Sequence, residues 1–96
     1  MQTKNITHLA SAGSNQVVAS GKAILHRIII GADVGSAVLE VSDDAADGDA
    51  NVIVQAQGNA LMTAHGVIEV GALFTKGITL DLTNQTLVTV VWEPVA

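Results

Sequence analysis

The acidic loop Asp43-Asp44-Ala45-Ala46-Asp47-Gly48-Asp49 is the one cluster in this chain with metal-ligand character, because hard cations take several oxygen ligands from a flexible loop. A calcium loop of the EF-hand kind needs oxygen ligands at alternate positions and a bidentate Glu at the twelfth. Counted from Asp43, the third position is Ala45 and the twelfth is Val54, so that pattern is not met. The loop reads instead as a solvated turn whose Asp residues favour turn geometry and keep a sheet edge soluble. His8, His26 and His65 lie in three different segments without the local spacing of a zinc site. They could still converge in space, or around an oligomer axis, and His26 is the one most suited to a functional role.

Catalysis finds no support in the residue types. There is no cysteine nucleophile, no nucleophile-elbow motif and no carboxylate pair placed on opposing walls of a cleft. Gly31-Ala32-Asp33-Val34-Gly35 follows a strand-like run, but it lacks the further glycine, the following helix and the basic residue of a phosphate loop. The expectation is a protein that is not an enzyme and holds no cofactor.

Composition narrows the partners. The net charge is −5, and Phe74 and Trp92 are the only aromatic residues. Single-stranded nucleic acid is bound through a basic groove and aromatic stacking platforms, so it is disfavoured here. Sugar-binding surfaces built on aromatic faces are weakened as well. No run approaches the ~20 apolar residues that cross a bilayer, and Met1-Gln2-Thr3-Lys4-Asn5 has no apolar leader character. The expected setting is a soluble compartment without a membrane partner, in which the sequons Asn5-Ile6-Thr7 and Asn84-Gln85-Thr86 are coincidental.

The elements that must position any site are strands. Residues 16–20, 23–30, 37–42, 52–57 and 66–70 form short apolar-rich runs, with 60–63 a further candidate. Turn chemistry separates them: Ser20-Gly21-Lys22, Gly31 to Gly35, Asp47-Gly48-Asp49, Gln57-Gly58-Asn59 and Gly71. The clearest alternation lies in residues 76–96, where Ile78, Leu80 and Leu82 oppose Thr79, Asp81 and Thr83. After Asn84 and Gln85, Val88, Val90 and Trp92 oppose Thr89, Val91 and Glu93. That pair reads as a terminal hairpin with its apolar set in the core and its polar set in water. Seven or eight strands without a convincing helix point to a sandwich or barrel. Residues 1–15, small and polar with Ile6 and Leu9 as anchors, read as an N-terminal arm, and 16–96 as one β-sandwich domain.

One run departs from clean alternation. In residues 23–30, Ile24, His26, Ile28 and Ile30 share one face while Leu25, Arg27 and Ile29 share the other, so both faces are substantially apolar. Such a second face suits a subunit contact, cover by the arm, or cover by a loop of the same chain. With 96 residues and no disulfide, a subunit interface is also the obvious further source of stability. Lys4, Ile6, His8 and Leu9 of the arm, with Leu25, Arg27 and Ile29 of this strand, are the candidate partner-binding residues.

The glycine-led strand Gly21-Lys22-Ala23-Ile24-Leu25-His26-Arg27-Ile28-Ile29-Ile30-Gly31, the strand ending in Asp43, and the closing Phe74-Thr75-Lys76-Gly77-Ile78 with Val88-Thr89-Val90-Val91-Trp92-Glu93-Pro94 together resemble small tailed-bacteriophage structural proteins. The closest likeness is to capsid decoration, or cement, proteins. This resemblance implies an all-β, jelly-roll-like antiparallel β-sandwich of about eight short strands, assembled as a homotrimer. It also implies synthesis in the host cytoplasm and a place on the outer head surface, where the protein bridges capsomers of the major capsid protein. A tail, baseplate or head-fibre component, or a lectin-like module for host glycans, is the alternative.

Overall fold

Gly77–Thr83 is buried along all but its last residue, as happens to a strand with neighbours on both edges and cover on both faces. It is the seventh of eight strands in the computed structural model, which describes residues 4–10, 13–30, 38–46, 51–57, 66–83 and 87–95, with 54–57 as backbone only. The strands are β1 (Asn5–Leu9), β2 (Gly13–Ser20), β3 (Ala23–Ile30), β4 (Val38–Ser42), β5 (Val52–Gln57), β6 (Val67–Phe74), β7 (Gly77–Thr83) and β8 (Val88–Pro94).

Two four-stranded antiparallel sheets form, ordered β1-β8-β3-β6 and β2-β7-β4-β5. The pairs β1·β8, β2·β7, β3·β6 and β4·β5 describe one long antiparallel ribbon folded at its middle. Rolling that ribbon brings β3 against β8 and β4 against β7, which closes each sheet. This is the jelly-roll winding, and the protein is an all-β sandwich with eight strands among the described residues. Leu25, Ile28, Leu39, Val41, Phe74, Ile78, Leu80, Val88 and Val90 form the fully buried centre between the sheets. Each such side chain contributes about 1.5–3 kcal/mol relative to an exposed one.

The winding corrects four sequence expectations. First, the terminal runs are not a hairpin: β7 lies in one sheet and β8 in the other. Both edges of each are already occupied, β7 by β2 and β4, β8 by β1 and β3, so the chain crosses between layers after Thr83.

Second, the described part of the arm is sheet. Asn5–Leu9 pairs with β8 from Asn5↔Trp92 to Leu9↔Val88, and β2 begins at Gly13, so the sandwich includes residues placed outside it. Leu9 turns inward and packs against the core.

Third, strict alternation fails in β3. Both of its ladders shift register between Leu25 and Arg27, leaving His26 unpaired as a β-bulge. An extra residue reverses which side chains face inward. Ala23 and Leu25 point to the core before the bulge, and Ile28 and Ile30 after it, so Ile24, His26, Arg27 and Ile29 share the outer face. Leu25 is 0% exposed and cannot touch a partner. Gly71, read as a connector, lies within β6 beside this bulge at φ 61°, which glycine adopts without a Cβ penalty.

Fourth, two of the three polar residues of β7, Thr79 and Asp81, are buried. Thr79 Oγ1 donates to the Asp44 carbonyl at 2.8 Å, and the Asn15 amide donates to Asp81 Oδ1 at 2.5 Å. Trp92, expected in the core, is half-buried at its margin, with Nε1 donating to Thr7 Oγ1 at 2.9 Å. The possible strand at 60–63 lies outside the described residues.

Candidate interaction face

The outer face of the β1-β8-β3-β6 sheet gathers most of the residues nominated from the sequence. Register sets its rows. Ile6, Val91, Arg27 and Glu69 lie across one row; His8, Thr89, Ile29 and Val67 lie across the next; Glu93, Ile24 and Leu73 lie across a third. Ile6 is 62% exposed, Leu73 53% and Ile29 37%, whereas Val91, between Ile6 and Arg27, is buried even though it points outward.

Polar side chains on this face are paired with one another. His26 and Glu93 meet at 2.6 Å, both about one-fifth exposed. The bulge places His26 there, since a regular strand would have set it in the ladder opposite a partner residue. Arg27 Nε donates to Glu69 Oε1 at 3.1 Å across the directly opposed β3–β6 position. His8 Nδ1 and Thr89 Oγ1 lie 2.7 Å apart.

Of the nominated residues, Ile6, His8, Arg27 and Ile29 thus share one surface, and exposed Lys4 immediately precedes β1 at its margin. Leu9 and Leu25 face the opposite way. Sequence reasoning missed Ile24, Val67, Leu73, Thr89 and Val91, whose membership follows only from which strands are neighbours. It also missed Leu87, 54% exposed just before β8 with φ 56°, an uncommon backbone state for a bulky side chain. Leu87, Val88 and Thr89 form one wall of a cleft of about 230 Å³, and His8, Leu9 and Ala10 form the other.

The acidic loop does different work. Asp43 Oδ2 accepts from the Thr75 amide and hydroxyl, each at 3.1 Å, while Oδ1 accepts from the Lys76 amide at 2.8 Å and the Gly77 amide at 3.4 Å. The carboxylate therefore ties the end of β4 to the β6–β7 turn. Burial alone would raise its pKa, but the bonds from Lys76, Thr75 and Gly77 outweigh that effect and hold it below the ordinary 3.8. Gly77 is obligatory at this junction. A Cβ there would run into the Ala19 carbonyl and lie 2.8 Å from the Asp44 carbonyl. Asp47 to Asp49 and His65 lie outside the described residues, and among the described residues no group of three or more His, Asp or Glu could hold a metal ion.

A second cleft, of about 450 Å³, opens at the sandwich end between Val18 to Lys22 and the stretch Trp92, Pro94 and Val95. Its backbone is partly committed: Gly21 N donates to Lys76 O at 2.8 Å and Val95 N to Lys22 O at 3.0 Å. No family model, curated protein or solved structure matches this chain.

Proposed function

We propose that this chain is a non-enzymatic structural protein of a tailed-phage virion, a capsid decoration protein that binds the outer head surface as a homotrimer and stabilises contacts between capsomers. The observation that carries the reading is the jelly-roll winding combined with a broad apolar sheet face whose polar groups are internally paired. Jelly rolls recur among viral capsid and lectin domains. The polar pairs of this face leave no side chain among them poised as a nucleophile or free base. Weak contacts repeated by symmetry supply avidity where one site would bind poorly. The major capsid protein is the proposed second partner.

The direct test is copy number in purified particles, followed by cryo-EM of heads with and without the protein. Hundreds of copies on the head surface support decoration. A handful of copies at the portal vertex or tail would move the protein to the tail or baseplate.

Lectin-like glycan binding has one observation in its favour, the presence of half-buried Trp92 on the wall of the 450 Å³ cleft. Because Trp92 is the single tryptophan, a glycan entering that cleft shifts intrinsic fluorescence directly. An unchanged emission spectrum across a glycan panel removes this alternative.

A further inference from the structure

We infer that the occupant of the outer β1-β8-β3-β6 face is another copy of the same chain, so that assembled subunits turn these faces toward one another. The inference rests on the self-association in the reading above and names its surface.

Charge selects the occupant. The cations associated with this face, Lys4 and Arg27, balance its carboxylates, Glu69 and Glu93, so the face is neutral with the histidines uncharged. The chain's net charge of −5 is therefore carried entirely by residues outside the four strands of this sheet and the preceding Lys4. Among the described residues outside it, Lys22 and Lys76 stand against four carboxylates, Glu40, Asp43, Asp44 and Asp81, so two copies meeting there oppose like charge on balance. On this face they meet without that penalty, burying Ile6, Ile29 and Leu73. Arg27 and Glu69, opposed in register and partly exposed, can pair across subunits as they do within one.

Leu87 adds an independent observation. A left-handed backbone at a bulky residue is strained, and it persists only where the surroundings hold it. Here it presents an exposed Leu on the cleft that His8 and Thr89 share with the face. In an assembly that side chain adds an apolar contact at the rim.

Sedimentation velocity on the purified full chain tests this, with circular dichroism melts to confirm folding. The wild type is expected to associate at micromolar concentration, and to do so more strongly as salt rises from 50 to 500 mM, because screening weakens repulsion between chains of net charge −5. Ile6→Thr with Ile29→Thr should weaken association at least tenfold with an unchanged melt, and Leu87→Asn should weaken it while leaving the melt equal or higher. Ile53→Thr, at an exposed position of β5, should change nothing. A monomeric wild type, association that weakens with salt, or dissociation caused by Ile53→Thr and not by the face variants would each overturn the inference. Head binding is scored separately. Heads decorated by a protein that stays monomeric retire this inference together with the homotrimer and leave decoration standing, and a protein that assembles through this face yet never binds heads retires the decoration reading alone.

Discussion

On β7 the polar residues Thr79 and Asp81 are buried, while on β3 the apolar residues Ile24 and Ile29 face outward. The two strands lie in opposite sheets, each flanked on both edges. What differs is the cover on the outer side. Over β7, the segment after β4 folds down, so that Asp43 clamps the β6–β7 turn and the Asp44 carbonyl receives the Thr79 hydroxyl. Over β3, the outward polar groups are bonded to side chains of neighbouring strands in the same sheet. Local bonds thus compensate the buried polar groups of one sheet, while the other keeps an apolar surface available for association. Outer faces in a sandwich are decided by what the loops cover, not by strand composition alone.

The contrast breaks most sharply at Gly77. Gly77→Ala pushes a methyl into the Ala19 and Asp44 carbonyls, and we expect a loss of more than about 3 kcal/mol, or failure to fold, in denaturant titration. A native-like melt would mean that the Asp43–Asp44 segment is loosely held. Leu25→Ala should cost about 2–5 kcal/mol through lost burial and a cavity, whereas Ile29→Thr on the same strand should change monomer stability by less than about 0.5 kcal/mol. Equal losses at these two positions would contradict the bulge at His26.

Asp43→Asn should lower stability by about 1–2 kcal/mol, a value reduced for solvent exposure of the clamp. Because the folded pKa is depressed, the stabilisation is complete above the ordinary 3.8 and fades as pH falls below it through the folded value. Melts recorded from pH 6 to pH 2 should therefore converge for wild type and variant at the acid end. A difference that grows on acidification would place the effect elsewhere. The smallest expected effect belongs to Glu69→Gln, which breaks an exposed pair worth at most about 1 kcal/mol and should leave the monomer melt almost unmoved.

Much of the fold was legible in the residues. The boundaries 23–30 and 52–57 coincide with β3 and β5, and the apolar set Ile78, Leu80, Leu82, Val88 and Val90 is buried as alternation demands. The Phe74-x-x-Gly77 step marks a glycine with a steric reason to be there. Errors arose where local pattern was asked to supply neighbours. Adjacency in sequence suggests that β7 and β8 pair, and they do not. A polar N-terminal stretch reads as an arm, yet Asn5–Leu9 completes the edge of a sheet by pairing with residues about eighty positions away, from Asn5↔Trp92 to Leu9↔Val88. Of the proposed partner-binding positions, Leu25 lies on the inner face, because an unbroken period of two does not survive a bulge that no composition rule announces.

The sequence by itself determined an all-β chain, because alternation, β-branched residues and glycine-rich turns are local properties that each strand carries alone. It also determined the acidic balance, the poverty in aromatic residues and the lack of cysteine. Only the tertiary structure decided that β1 and β3 flank β8, that Ile6, Arg27 and Ile29 therefore share one neutral face, and that Asp43 is a clamp. These are long-range facts. They depend on the order of strands across a sheet, which arises when a folded ribbon rolls to bury its apolar side and which no single window of residues encodes.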